Sequence, residues 1–529
     1  MRIYHCIILF IIISLISISC SSNEQAPPRP DLCNTDYIYI DNKTFKHKND
    51  TFFPIMLNYV IACRNIDNKC VMSPIKSYEN PDIYESNTEK EIQHQLAGHF
   101  QLIHKLGFNC LRLCFDRISQ DEKGYYFYQA DDKKYYIKEH ANEIIQGLKQ
   151  VINIAGEKNL RVMLLIKPPI ENLDLNTFTI ELLKAFKDNS VIFAYDFMNE
   201  PLYFDNKKNR SKKEAIKIVS QWRDMMREHA PNQLFTIGFS EPIEVFEWDP
   251  QLLPVDFVQF HTYHPLRVPN EIYWYSHYID KVWMIGETAL PADGDSISYE
   301  EQAQFMLDAF HYAIDCGGSG FGWWEFQEIP GSHFEAQYTG LLNHQGITYT
   351  TDSAYAIQGT LKPAAYLVKE LANYKPKKPV HAVNYYNMLG FNNICIKGTI
   401  VDRKTKQAVE GAVVRAWNEY WSVGINTFTN EKGEFTLYSN DECVHFEISA
   451  PGMSKIKFDK EIMYYPISGQ KADIHQLPNK ELEYHRISHK PFLLQSDTAP
   501  YPLFHFDPEK FNQASFTGEM ETLYLKKIK

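Results

Sequence analysis

The chain has 529 residues, a formal net charge of −12, 14% aromatic residues and ten cysteines. At roughly 100–200 residues per domain this length fits two or three domains, and a large barrel could absorb most of it. With 44% hydrophobic and 23% charged residues the balance is that of a globular protein, and the acidic excess argues against one built to hold phosphate backbones. The cysteines are too sparse for a disulfide-stapled scaffold, and no pair has the CxxC spacing favoured by zinc or redox sites. Tyr and Phe, at 33 each, offer flat amphipathic surface suited to the apolar faces of a neutral ligand such as a sugar.

Residues 1–20 read as a targeting segment. Arg2 and His5 precede an apolar run from Ile7 to Ile18, about the length of a signal h-region and too short to span a bilayer. The stretch Ser17-Ile18-Ser19-Cys20, followed by Ser21-Ser22-Asn23, resembles a bacterial lipoprotein signal. That resemblance implies that Cys20 becomes the lipidated first residue of the mature chain. An ordinary secretory signal cut near the same place would use the same apolar run. Residues 21–36, with Pro27, Pro28 and Pro30, read as an extended tether.

Across residues 37–375, apolar strand-like runs alternate with amphipathic helical patterns. The strand candidates are Phe52–Val60, Asn109–Phe115, Arg161–Ile166, Ile192–Met198, Leu234–Gly238, Phe257–Thr262, Val282–Gly286 and Gly320–Phe326. Most are continuous apolar runs, as expected of parallel strands buried on both faces. Glu91–Leu106 puts Ile92, Leu96, Phe100 and Ile103 on one helical face, and Lys212–His229 does so with Ile218, Trp222 and Met225. The count predicts an α/β fold, a (β/α)8 TIM barrel. The long segment Ile61–Thr88 after the first strand, with Tyr78 and Tyr84, is placed to wall a binding groove.

Two of these strands end in glutamate. Ile192–Met198 runs into Asn199-Glu200-Pro201, and Val282–Gly286 into Glu287. In a barrel, catalytic groups are mounted at the carboxyl ends of the strands. Pro201 cannot continue a ladder, so the chain leaves the sheet directly after Glu200. An ionised carboxylate at the end of a buried strand is costly unless it is paired, hydrogen-bonded or used. Two on one rim are what double-displacement glycoside hydrolysis needs, one as general acid and the other attacking the anomeric carbon.

Around these residues the sequence resembles clan A of the glycoside hydrolases, and within it family 5, the cellulase and mannanase family. The resemblance implies that Glu200 is the acid/base at the end of strand four and Glu287 the nucleophile at the end of strand seven, with Asn199 bonding the sugar 2-hydroxyl. Gly107-Phe108-Asn109-Cys110-Leu111-Arg112 looks like the strand-two segment whose arginine supports the nucleophile. Phe260-His261-Thr262-Tyr263 resembles the strand-six His-x-Tyr, whose tyrosine orients the nucleophile. Of Trp323 and Trp324, Trp324 is taken as the floor of the −1 sugar site. Arg112, Asn199, His261, Tyr263 and Trp324 are thus the expected substrate-binding set. Arg112 has a plainer reading as a structural salt-bridge partner, His261 as a satisfied core histidine, and Tyr263 and Trp324 as packing residues. Many family members carry a histidine at the end of strand three, where this chain has Lys167-Pro168-Pro169; Lys167 either bonds a sugar hydroxyl or pairs with an acidic neighbour. His264 and Glu325, also at strand ends, are read as lining.

From Asn392 the composition changes to short strands without helical period: Ile394–Val401, Ala412–Asn418, Ile425–Thr429, Glu434–Tyr438 and His445–Ser449. Gly398-Thr399-Ile400-Val401-Asp402, Val409-Glu410-Gly411-Ala412-Val413-Val414 and Thr429-Asn430-Glu431-Lys432-Gly433-Glu434-Phe435 resemble the carboxypeptidase regulatory-like domain. That implies a small all-β prealbumin-like sandwich of seven strands over residues 392–475, without catalytic residues. Residues 476–529 form a C-terminal extension with no readable structure. No motif calls for a metal or cofactor. Cys63 and Cys70 are the nearest candidates for a disulfide, a question the sequence leaves open.

The expected protein is an exported lipoprotein of the cell envelope, anchored at the outer membrane on its cell-surface or periplasmic face. It hydrolyses β-linked glycans with retention, β-1,4-glucan or β-mannan favoured, and touches the membrane through its lipid anchor alone and no nucleic acid. The alternative is a surface glycan-binding protein that kept the barrel and lost turnover.

Overall fold

The computed structural model describes residues 31–77, 86–115, 118–130, 133–170, 172–207, 209–263, 265, 267–330, 337–349, 356–379, 394–419, 424–439, 442–459, 501–504 and 516–528. Cys20, most of the tether, Tyr78, Tyr84 and His264 lie outside the described residues.

Eight parallel strands close into a barrel: β1 (Ile55–Ile66), β2 (Cys110–Phe115), β3 (Arg161–Leu165), β4 (Ile192–Asn199), β5 (Leu234–Phe239), β6 (Val258–His261), β7 (Trp283–Glu287) and β8 (Phe321–Trp323). Each pairs with the next, and β8 closes the ring on β1 through Phe321 opposite Ile55. Outside stand α1 (Glu89–Leu106), α2 (Ile137–Glu157), α3 (Leu173–Phe186), α4 (Lys212–His229), α5 (Val268–Tyr278), α6 (Tyr299–Asp315) and α7 (Pro363–Leu371). Helices α1, α4 and α6 start at complete capping boxes, Thr88 with Glu91, Ser211 with Glu214 and Ser298 with Glu301. The buried stripe of α4 is Ala215, Val219, Trp222 and Met226. Ile218 and Met225 flank it half-buried, one position off the face expected from the sequence. Trp222 belongs to both sets, and the four-residue spacing from Ala215 selects the face that lies flat on the sheet.

Inside the barrel the side chains form layers. Met56, Cys110, Met163, Ala194, Leu234 and Met284 make an apolar cluster that Ile38 and Phe45 plug from below. Those two residues belong to an N-terminal hairpin, Ile38–Asp41 with Thr44–His47. Two residues further along the strands the interior turns polar, with Asn58, Arg112, Asp196, Thr236 and Gln259 at 0% exposure. The two-residue side-chain period puts these directly above the apolar layer and directly below the carboxyl-end rim. Two glycines make room for it. A Cβ on Gly286 would lie 2.0 Å from Gln259 Oε1, and one on Gly322 would lie 2.2 Å from the carbonyl oxygen of Gly286.

Beyond the barrel rim β1 continues and turns back at Asp67 and Asn68, both at positive φ, into Lys69–Pro74. Paired positive-φ residues match the right-handed twist of a tight hairpin. A disulfide joins Cys63 to Cys70 within it. The first part of the segment expected as a loop wall is therefore an antiparallel extension of the barrel's own first strand.

The C-terminal region is a second body with its own core, which includes Ile400, Val414, Ala416, Leu437, Phe446 and Ile448. One sheet holds β10 (Val413–Asn418), β11 (Gly424–Phe428), β13 (Cys443–Ser449) and β14 (Ile456–Asp459) in the order β11-β10-β13-β14. The other is built on β9 (Ile394–Asp402), with β12 (Glu434–Ser439) antiparallel on one side. Its further partners, β15 (Phe516–Glu519) and β16 (Leu523–Leu525), run parallel to β9 and come from the C-terminal extension. The extension thus completes the sandwich, contrary to the sequence-based division at residue 475. It also touches the barrel: Tyr501 Oη donates to Asp315 Oδ2 and the Leu503 amide to Asp308 Oδ2, at 2.5 and 2.6 Å.

Candidate active site

The register of the barrel breaks where the two glutamates stand. Pairing of β4 with β5 shifts between Asp196 and Asn199, and pairing of β6 with β7 shifts between Phe260 and His261, so that His261 stands opposite Glu287. Such irregularities re-aim side chains at the end of a strand. Glu200 follows at φ 39° and ψ 76°, a left-handed backbone for a non-glycine residue, with Pro201 next. Left-handed geometry before proline is doubly disfavoured and persists only where the surroundings over-determine it. One restraint is the Glu200 amide, which donates to the Gly238 carbonyl at 2.7 Å.

Arg112 organises the floor of the site. Its guanidinium, at 0% exposure, donates from Nε and Nη2 to Asp196 Oδ2 at 2.9 and 2.8 Å. Nη1 donates to Asn58 Oδ1 at 3.0 Å and to Glu287 Oε1, and Nη2 reaches Asn199 Oδ1 at 2.7 Å. Glu287 receives the Tyr263 hydroxyl on its other oxygen. Asp196 is itself held by the amides of Gly238 and Met198 on Oδ1, at 3.0 and 3.3 Å, and by Gln259 Nε2 on Oδ2. Asn58 Nδ2 donates to the carbonyls of Gly286 and Trp323, each at 3.0 Å, which ties β1 to the ends of β7 and β8.

Glu200 has different neighbours. His261 Nδ1 lies 2.7 Å from Glu200 Oε1 and 3.5 Å from Glu287 Oε1. Burial pushes the His261 imidazole down to about 4, so it is neutral near pH 7. Burial pushes the Glu200 carboxyl up to about 7; Arg112 opposes this, and the charges of Glu241 and Asp196 add to it. Glu241 ends the rim beyond β5 and pairs with Arg267 Nη1 at 2.7 Å. Glu200, His261 and Glu287 each place one donor atom within 4.8 Å of the others. This is the one trio among the described residues with the spacing of a metal site, and Arg112 already brings a positive charge to Glu287 there.

The residues expected from the sequence therefore converge on one rim. Arg112 and His261 are fully enclosed and face the carboxylates, while Asn199, Tyr263 and Trp324 are half-buried at the mouth. Trp323 is buried in the core with its indole N–H on the Thr339 carbonyl, which leaves Trp324 as the tryptophan at the rim. Lys167 is half-buried, its ammonium 5.9 Å from the Tyr126 ring centre, with its pKa lowered by burial. Glu325 is buried beneath the rim. Sequence reading missed Asn58, Asp196 and Gln259. The available signal was a charged or amide residue inside an otherwise apolar strand run, Asp196 on β4 answering Arg112 on β2.

No protein-family model matches the chain, and no curated protein matches it. Among solved structures it is similar to the exo-β-1,4-mannosidase Op5Man5 from Opitutaceae bacterium strain TAV5, at 14% identity and a TM-score of 0.46, over 70% of this chain and 66% of that one. This chain thus spans a little under two thirds of that protein. It is also similar to an endo-1,4-β-mannanase from Rhizomucor miehei, at 14% identity and TM-score 0.42, over 64% and 100% of the two chains. A third is an endo-β-1,4-mannanase from Thermotoga petrophila, at 11% identity and TM-score 0.38, over 78% and 98%.

Proposed function

We propose that this protein is a retaining β-glycoside hydrolase of the family 5 type, acting on β-linked polysaccharide or oligosaccharide, with β-1,4-glucan or β-mannan as the favoured substrates. The observation that carries this reading is the pair of rim glutamates, with one oxygen of each within 4.8 Å of the other and with unlike surroundings. Retaining enzymes hold their carboxyl groups about 5–5.5 Å apart, whereas inverting ones leave about 6.5–9.5 Å for a water.

In this reading Glu200, largely protonated below pH 7, gives its proton to the leaving oxygen while Glu287 attacks the anomeric carbon. The glycosidic C–O bond breaks as the Glu287–C1 ester forms. Glu200, now a carboxylate, takes a proton from water, which displaces Glu287 and restores both groups. Arg112 and Tyr263 hold Glu287 in its line of attack, and Asn199, oriented by Arg112, offers its amide N–H to the sugar 2-hydroxyl. Trp324 supplies an apolar face for the sugar in the −1 site.

The test is a panel of β-glucans, β-mannans and their oligosaccharides, with the anomer of the first product read by NMR. Release of the β-anomer is expected. An α-anomer would overturn the mechanism, and binding without any product would leave the glycan-binding reading in its place.

Export and lipidation at Cys20 belong to the same proposal. The Cys63–Cys70 disulfide agrees with an oxidising compartment. Labelled palmitate is expected on the wild-type chain expressed with its signal in a bacterial host and not on Cys20→Ala; label on both would overturn it. The sandwich, resembling a carboxypeptidase regulatory-like domain, is proposed to carry no catalytic residue of its own.

A further inference from the structure

The segment that follows β5 faces two ways. It forms a 3-10 turn, Pro242–Phe246, and continues through Glu247 and Asp249. On one side it meets the acid/base. Pro201–Phe204 is a single helical turn with Glu200 at its N-cap position, and the Glu200 side chain makes no capping bond. The orphan amide of Leu202 is capped instead by Glu244, whose Oε1 accepts from Leu202 N at 3.0 Å and from Ser240 Oγ at 2.9 Å. Glu244 is 1% exposed, and its Oε2 has no hydrogen-bond partner among the described residues. The turn is locked further by Asp205, which accepts from Arg210 Nε and Nη2 at 2.6 and 2.8 Å and from Trp248 Nε1 at 3.1 Å.

On its other side the same segment meets the sandwich. Asp249 Oδ2 accepts from Lys212 Nζ at 2.7 Å and from the Gly452 amide at 2.9 Å. Lys212, nearly fully buried, also donates to the carbonyls of Ala450 and Met453, at 3.2 and 2.7 Å. Lys455 lies 4.0 Å from both Glu247 of the barrel and Glu447 of β13. A small cavity at this seam is lined by Leu202, Glu244 and Glu247 on the barrel side and by Arg415 and Glu447 on the sandwich side. Lys212 and Asp249 both belong to the barrel, and opening the seam would strip this buried pair of its sandwich partners, the carbonyls of Ala450 and Met453 and the amide of Gly452.

We propose that the sandwich is part of the catalytic unit: it holds the segment 242–249 in place, and through it Glu244 acts as a positioning residue that caps the Leu202 amide and fixes the left-handed turn at Glu200. The proposal rests on Glu200 being the general acid. A displaced acid harms substrates whose leaving group needs a proton and spares those whose leaving group departs as a stable anion. General acid catalysis is worth about 10²–10⁴-fold, so partial misplacement is readable as a change in leaving-group dependence. Burial raises the Glu244 carboxyl to about 8, so near pH 7 it is largely the neutral acid, which glutamine copies.

The experiment uses the full chain and measures kcat/KM on phenyl and 2,4-dinitrophenyl β-glycosides of glucose, mannose and their β-1,4-linked disaccharides. If the wild type turns over none of these, the hydrolase reading itself fails. If it does, Glu244→Ala is expected to lower kcat/KM on the phenyl glycoside about tenfold or more, with the dinitrophenyl value within about threefold of wild type. Glu244→Asp, one methylene too short to keep the Leu202 bond, stands in if the alanine variant does not fold. Glu244→Gln keeps the acceptor and is expected to restore the wild-type ratio. Arg415→Ala, at the seam, is expected to move the ratio in the same direction by a smaller factor. Equal losses on both substrates, or a glutamine variant as impaired as alanine, would overturn the role of Glu244. An unchanged ratio in Arg415→Ala would overturn that of the sandwich.

Discussion

Glu287 receives a guanidinium N–H on one oxygen and a phenolic O–H on the other, whereas Glu200 has a neutral imidazole at 2.7 Å and two further carboxylates, Glu241 and Asp196, acting on it. Their side chains are 6% and 16% exposed, so burial alone does not distinguish them. The difference lies in the sign of what surrounds each. Around Glu287 stand a guanidinium and a phenolic hydroxyl, each aimed at one oxygen. Around Glu200 burial and nearby acids favour the proton. The proposed double displacement needs such a contrast, one carboxylate to attack and one to give a proton.

The strongest way to break this contrast is to remove each carboxylate in turn. Glu287→Ala and Glu200→Ala are both expected to reduce turnover of a natural glycan by several orders of magnitude. They should then part company. With azide and a dinitrophenyl glycoside, Glu200→Ala is expected to regain turnover and yield the β-glycosyl azide, because the Glu287 ester still forms. Glu287→Ala with azide is expected to yield the α-anomer. Product anomers read by NMR decide the matter, and identical products from the two variants would dissolve the assigned difference.

A smaller effect is expected one bond away. Tyr263→Phe keeps the ring and removes the O–H on Glu287, so kcat is expected to fall about 10²-fold, the usual size for loss of one donor at a developing charge. The melting temperature should stay within a few degrees, because the ring sits half-buried at the mouth. Loss of stability in step with activity would mark Tyr263 as a packing residue.

How much of this rim could be read from the chain follows from the geometry of the strands. Parallel strands buried on both faces appear as unbroken apolar runs, so all eight were visible, and Glu200 and Glu287 stood out as charges at the ends of two of them. Asp196 was not recognised, although it lies three residues before Asn199, because its role depends on Arg112, which reaches it across 84 positions of sequence. The return of residues 516–525 alongside β9 was invisible for a similar reason: a parallel pairing over more than a hundred positions leaves no local pattern. The hairpin at Asp67 and Asn68 is the opposite case. Its turn chemistry is local: Asp67 and Asn68, residue types that tolerate positive φ, stand next to each other in the sequence.

The finest test of the contrast is titration. Because the general acid must carry its proton, kcat/KM on substrates with poor leaving groups is expected to fall as pH rises through about 7, the value to which burial raises Glu200. The same shift bears on folding. The folded value lies above the ordinary 4.5, so the protonated form favours the native state. This contribution is present in full below about 4.5 and is lost as pH rises through about 7. Glu241→Gln should move both together. It removes a negative charge that raises Glu200 and leaves Arg267 unneutralised, so both terms lower the Glu200 value. The basic limb of the kcat/KM profile is expected to shift to lower pH by a fraction of a unit, with little change in kcat at pH 5. A limb that stays in place, or moves up, would show that the charge at Glu241 does not help hold the proton on Glu200.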